Sequence, residues 1–432
     1  MQARPPLFLL TGFCWLFLSA LLGLAMFAGL IIGNPLPASL RLVHVHSALV
    51  GGVAQMILGA ILSFVPALLM TGRDRPDSHP VLYAAINGGA IGMVAGLAVE
   101  QQPLVAAAGS LVLLAFLVVF RDGIQQARSS LVSPPLNLWF YGAALVALLA
   151  GLGLGIAMAL QLLPATFHGQ ARLAHIHLNL LGFVTLTIVG TTHNLFPTIL
   201  NAPLWSPRLA RWTFLLLPAS VALLVAGFLL GNPQAEIAAG AVMIAGVLLY
   251  ACNVIRTWTA AEGPGGTASD HFVLATICLV LAVVAGLLVS ANSLSNPPDV
   301  PIGKLHLVAY THLALVGFIL QTIMGALSHL LPIMLAVTRV KSHKKRGPYL
   351  DELTGIVEQW RLFQVGTLNL GLLALFLTAA LVWPFNLQAP EVQAAAWTGA
   401  SLLGAGLLTF GVKVIRLLRC RPADRHPLDA AA

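Results

Sequence analysis

Three histidines stand at one position of a repeated pattern, and that spacing is the first chemistry the sequence offers. His46, His177 and His312 are each followed by Gly five residues on, Gly thirteen on and Pro twenty on. The copies read Gly51, Gly59, Pro66; Gly182, Gly190, Pro197; and Gly317, Gly325, Pro332, with no gap needed to align them. Glycines in such segments serve close helix packing, but packing does not explain an imidazole at the same register three times. A lone His in an apolar helix reads as a hydrogen-bonded structural residue. Three aligned ones, with further histidines beside them, point to a bound metal or haem, because imidazole ligates Fe, Cu and Zn well.

The neighbouring histidines extend the pattern. His44 and His175 each precede a repeat His by two residues. At about 100° per residue, His175 and His177 lie about 160° apart around a helix, so the two face different neighbours. The third copy reads Tyr310-Thr-His312, and His306 lies four residues before Tyr310, so His306 or Tyr310 stands in for the missing imidazole. His193 and His329 lie sixteen and seventeen residues after their repeat His, about 24 Å along a helix. That is too far to share a centre with it, and leaves a proton path or a hydrogen-bonded structural role. His168 reads as an outer-loop residue, a surface group or part of a lid. His79, His271, His343 and His426 fall at inner ends and read as solvated.

These residues must be positioned by membrane helices. Of the 432 residues 58% are hydrophobic and 8% charged, against about 25% charged in soluble domains, and the mean hydropathy is +0.91. That excludes an ordinary soluble enzyme, a disordered chain and a nucleic-acid binder. Spans of about 20 apolar residues are expected near 7–32, 44–70, 81–100, 103–120, 136–163, 175–200, 211–231, 235–256, 271–291, 305–336, 361–386 and 392–415. The chain is therefore expected to be an all-α integral membrane protein of twelve transmembrane helices in a single membrane domain. The repeat histidines fall on helices 2, 6 and 10, which makes the unit four helices, used three times as pseudo-symmetric repeats near 7–120, 136–256 and 271–415.

Charge sets the orientation. Nineteen of the twenty-two Lys and Arg residues fall on one set of helix ends and only Arg41, Arg172 and Lys304 on the other. The positive-inside rule then places both termini in the cytoplasm of a bacterial-type inner membrane, and the net charge of +8 is mostly a topology signal. The first stretch reads as a retained span rather than a cleaved leader. The run from Lys341 to Arg346 reads as a solvated loop. Cys14, Cys252, Cys278 and Cys420 are far apart and form neither a disulfide framework nor a Cys-x-x-Cys-His attachment motif. Arg41, Arg172 and Lys304 lie beside the histidine-bearing ends, where they can receive haem propionates or simply anchor the helices at the interface.

This arrangement resembles subunit I of the haem-copper oxidases over about residues 7–419. In that family helices 2 and 10 hold a low-spin haem, helix 10 a second haem, and helices 6 and 7 copper. The resemblance implies that His44 or His46, with His312, ligates haem, and that His175 and His177 lie at the copper position. It further implies haem b, with copper at a site short of its usual ligands. The partners implied are the lipid bilayer, an electron donor such as a quinol or cytochrome c, and other membrane subunits. Helix 7 carries no His and helix 6 no Glu, so the oxygen-reducing copper site is incomplete and the oxidoreductase activity is left open.

The chain is similar as well to divergent cytochrome oxidase subunit I-like proteins. Another resemblance is to the NnrS family, twelve-helix haem and copper proteins associated with nitric-oxide stress. The expected function is electron transfer or oxygen and nitric-oxide chemistry, with a nitric-oxide stress protein or a haem or metal sensor without turnover as the alternative. A secondary transporter fits poorly, since the major-facilitator plan repeats as two halves of six helices.

Overall fold

The computed structural model describes residues 5–71, 79–263 and 265–422; within them all regular structure is helical. Twelve helices are long and apolar enough to cross a membrane. They are α1 (Pro6–Ile31), α2 (Ser39–Leu68), α3 (His79–Ala98), α4 (Gln102–Ser129), α5 (Leu136–Ala159), α6 (Ala165–Leu200), α7 (Pro207–Leu230), α8 (Pro233–Ala260), α9 (Thr267–Asn292), α10 (Lys304–Arg339), α11 (His343–Leu381) and α12 (Pro390–Arg419). Ordinary end signals delimit them. Before α7, the Ser206 hydroxyl accepts from the Leu209 N–H at 3.2 Å and Pro207 opens the helix, while Gly231 closes it at φ 62°. These are the favoured residues for an N-cap, a first turn and a left-handed C-terminal cap.

Three helices depart from the expected spans by nine residues or more, the first being α4, which runs on to Ser129 instead of ending near 120. The sixth helix begins about ten residues early, as a 3-10 turn at Ala165–Phe167 followed by α-helix from His168. His168 is therefore an exposed first-turn residue and not part of a loop. The basic run at 341–346 does not stay a loop either, because His343–Glu358 is helical. Tyr349, Leu353 and Val357 recur every fourth residue and are buried, so one apolar face holds the segment down while its charges stay in water. Trp360, at φ 53°, then turns the chain into Arg361–Leu381.

The three copies share a local structure that the sequence does not announce. Immediately after His46, His177 and His312 the chain enters eight-residue π-helices, Ser47–Ala54, Leu178–Thr185 and Leu313–Leu320. The wider winding is visible in the side chains: the Thr185 hydroxyl donates five residues back, to the Leu180 carbonyl, whereas Thr187 reaches four back to Phe183. π-Helix is rare and clusters at functional sites. The first Gly of each copy lies inside its π segment and against the preceding helix. A Cβ added at Gly51, Gly182 or Gly317 would approach Trp15 at 2.5 Å, Ala147 at 2.5 Å or Cys278 at 2.9 Å, respectively.

Packing divides the chain into two compact units, Met1–Asn194 with Ser206–Tyr250 and Gly286–Asp299, and Leu195–Trp205 with Ala251–Ala285 and Val300–Ala432. In the first, α1 packs on α2, α3 on α4, and α5 on both α4 and α6. In the second, α11 packs against α12 and against the first turns of α10.

This packing makes a differential prediction. Gly182→Ala drives a Cβ into Ala147, whereas a Cβ at Gly153 meets nothing within 4 Å. Overpacking costs about 1–3 kcal/mol, so thermal unfolding in detergent should show a lower Tm for Gly182→Ala. Gly153→Ala should be neutral or stabilising, since Ala is the better helix former. Equal Tm values for the two variants would contradict the close α5–α6 contact.

Candidate haem-binding histidines

In a helix an imidazole can satisfy Nδ1 on the carbonyl one turn back, and the three repeat histidines do so. His46 Nδ1 lies 2.9 Å from the Leu42 carbonyl, His177 Nδ1 2.8 Å from Leu173 and His312 Nδ1 2.8 Å from Val308. A carbonyl only accepts, so Nδ1 carries the hydrogen and Nε2 carries the lone pair. Each repeat copy thus presents the same tautomer in the same setting, at the last α-helical residue before a π segment.

The second histidines are fixed the same way, but to a neighbouring helix. His44 Nδ1 is 2.8 Å from the Ser19 carbonyl of α1, with the Ser19 hydroxyl at 3.0 Å, and His175 Nδ1 is 2.8 Å from the Gly151 carbonyl of α5. One turn on, a glycine makes room for each ring. A Cβ at Gly23 would lie 2.6 Å from His44 Cε1, and one at Gly155 2.8 Å from His175 Cε1. His177 turns elsewhere, its ring 4.6 Å from that of Phe228 on α7. Ser19, Gly23, Gly151 and Gly155, which hold or make room for these rings, are positions that sequence reasoning missed. Their only signal was the near-equal separation from the following His, 25 residues for Ser19 and 24 for Gly151.

The donor chemistry suits haem iron. Five imidazoles hold Nδ1–H on a carbonyl and so have Nε2 as their acceptor nitrogen, the second-shell arrangement that orients metal-bound histidines and raises their basicity. His46 and His177 are half-buried. A copper ion held by three side chains finds no such fit. Among the described residues no three His, Cys, Asp or Glu side chains form a metal-sized group.

The remaining sequence candidates differ among themselves. His306 departs from the expectation of a ligand, since its Nδ1 accepts from the Gly303 N–H at 3.0 Å and its ring stacks on Trp383 at 4.6 Å. The proton is then on Nε2, and the ring caps the start of α10. Tyr310 is half-buried, while Arg41, Arg172 and Lys304 are exposed. His193 lies between the rings of Phe140 and Tyr250, at 5.7 and 5.6 Å, and His329 is half-buried in the second unit.

Of the residues read as solvated, His343 is exposed and His79 half-buried, while His426 lies outside the described residues. His271 is the correction. It is fully buried, with Nε2 2.8 Å from Gln364 Nε2. The start of α9 is drawn inward by polar contacts that apolar patterning does not reveal. Glu358 accepts from the Thr267 N–H at 3.0 Å, Arg361 pairs with Asp270 at 2.6 Å, and buried Lys413 donates to the Val357 carbonyl at 2.7 Å.

Residues 136–345 match the family described as Cytochrome C and Quinol oxidase polypeptide I, a segment that contains the second and third copies of the repeat. No curated protein matches the chain.

The glycine cradle yields a prediction. Gly155→Ala should displace the His175 ring and weaken binding of haem or metal about 10–100-fold, the usual cost of disturbing a ligand's support. Gly153→Ala, two residues away in open space, should bind as wild type. Titration of the two purified variants decides, and equal affinities would show that the His175 ring position is irrelevant to binding.

Proposed function

We propose that the chain belongs to the haem-copper oxidase subunit I superfamily, whose family model matches residues 136–345, and that it is a haem-binding membrane protein acting in electron transfer or in oxygen or nitric-oxide chemistry. One observation carries the reading: His44, His46, His175, His177 and His312 all commit Nδ1 to a backbone carbonyl and keep the Nε2 lone pair. Bound haem b would supply a one-electron couple and, where an axial position is open, a site for a diatomic gas.

The chain's own residues set the terms of that chemistry. The carbonyls of Ser19, Leu42, Gly151, Leu173 and Val308 hold the rings in the tautomer whose lone pair is on Nε2. Gly23 and Gly155 admit the imidazoles without displacing a helix. Arg41, Arg172 and Lys304 supply positive charge near the histidine-bearing ends for propionates. A quinol or cytochrome c is the kind of electron donor the reading requires, and His193 and His329 are candidates for proton movement. Copper at His175 and His177 is the weaker element, since the two rings are held against different neighbours, α5 and α7.

Absorption spectra of the purified protein, oxidised and dithionite-reduced, test this reading. Sharp reduced α and β bands are expected, diminished in His312→Ala; a folded but colourless protein would overturn it. Oxygen consumption with reduced cytochrome c or quinol should be far below that of a true oxidase. Rapid, cyanide-sensitive turnover with one copper per chain would show that the missing copper ligands have been misread.

A further inference from the structure

We propose that the first part of α11, the amphipathic segment His343–Glu358, and the basic residues clamped around it form a docking surface for anionic phospholipid headgroups of the bilayer that the chain spans. The proposal is independent of the haem-binding reading.

From Arg339 to Arg346 the chain carries five Lys or Arg residues and no Asp or Glu. Alone, such a run reads as a solvated loop; here it opens a helix whose Tyr349, Leu353 and Val357 are buried. Hydrogen bonds clamp that helix to the ends of α10 and α12. Arg339 donates to the Tyr349 hydroxyl at 3.0 Å and to the Leu418 carbonyl at 2.9 Å, and Tyr349 donates to the Cys420 carbonyl at 2.8 Å. Lys413 of α12 holds the far end of the segment through the Val357 carbonyl, at 2.7 Å. The clamp gathers Lys341, Lys344, Lys345, Arg419 and Arg421, all exposed, within the second unit.

Against these cations the segment sets three carboxylates, Asp351, Glu352 and Glu358. Two of them have other work: Glu352 Oε1 lies 3.3 Å from Cys420 Sγ, and Glu358 accepts from the Thr267 N–H at 3.0 Å. The patch is therefore positive overall and calls for an anionic partner. Its place selects a lipid over a soluble acidic one. Helix α10 ends at Arg339 and the apolar part of α11 starts at Arg361, so the segment lies where two spans leave the hydrocarbon. Directly after it Trp360, Leu362 and Phe363 are exposed, apolar side chains suited to acyl chains and not to water. The Arg416 guanidinium lies 5.5 Å from the centre of the Trp360 ring, and aromatic and basic residues side by side mark the headgroup level. An amphipathic helix with a basic polar face lies in that plane, and Lys and Arg clustered beside a span attract anionic lipid.

The test uses the full-length protein in nanodiscs of phosphatidylcholine, alone or mixed with phosphatidylglycerol. Native mass spectrometry reads the lipid retained by each chain, and hydrogen exchange reads residues 343–358. The wild type should retain phosphatidylglycerol over phosphatidylcholine, and exchange in 343–358 should slow in the mixed discs. Lys341→Gln combined with Lys344→Gln should lower that preference about fivefold per cation removed, roughly thirtyfold for the pair, and abolish the slowing. Lys341→Arg with Lys344→Arg keeps the charge and should keep both effects. Arg121→Gln with Arg128→Gln removes two exposed cations from α4 and should behave as the wild type. Size-exclusion profiles and Tm values check that every variant is folded. Equal retention of the two lipids by the wild type, an unchanged preference in the Lys→Gln pair, or an equal loss in the Arg→Gln pair would overturn the proposal. So would slowed exchange in 343–358 on adding soluble glycerol phosphate in detergent, which would assign the patch to free anions.

Discussion

The hydrogen bond from imidazole Nδ1 to a backbone carbonyl is the interaction on which the site depends. Inside an apolar bundle a ring nitrogen without a partner costs about 1–3 kcal/mol, and a charged ring costs more. A neutral imidazole has one donor and one acceptor, and helix geometry provides for the donor from the carbonyl four residues back or from a neighbouring helix. His46, His177 and His312 use the first route, and His44 and His175 the second. Every route leaves Nε2 as an acceptor, to be satisfied by a hydrogen-bond donor or by a metal. Carbonyls are acceptors only, so the carbonyl that holds each ring cannot also satisfy Nε2.

The π segments and glycines set where those rings stand. An eight-residue π stretch after each repeat His lets the rest of the helix wind differently from the turn that carries the ring. Gly51, Gly182 and Gly317 then bring that stretch against the preceding helix, where a side chain would collide with Trp15, Ala147 or Cys278. Second histidines exist only in the first two copies, and there Gly23 and Gly155 open room for them. One local construction, used three times, thus presents histidines in settings that differ through a few substitutions, Tyr310 for an imidazole among them.

Much of this was legible in the sequence for a simple reason. Apolar length decides whether a segment spans the bilayer, and the expected spans lie within a few residues of the helices except at the C-terminal end of α4 and, at their starts, at α6 and α11. The last two failed where a polar turn continues a helix, at His168–Arg172, or where one apolar face is interrupted by charges, at Tyr349, Leu353 and Val357. The repeat histidines were visible because their Gly and Pro partners keep an invariant spacing. Their support was not visible, because Ser19, Gly151 and Gly155 act through position and not through side-chain chemistry. His271 was misread because its neighbours Gln364, Glu358 and Lys413 lie about ninety residues or more away in sequence. No local pattern announces such a cluster.

The central claim is that Nε2 of carbonyl-held histidines binds haem iron. Electron–nuclear double resonance on the oxidised protein, grown with 15N-imidazole-labelled histidine, tests it most directly. The account predicts strong 15N couplings from two axial imidazole nitrogens on a low-spin ferric iron, in addition to the porphyrin nitrogens. A ferric signal with no 15N coupling would contradict it, because the haem would then be held by something other than these histidines.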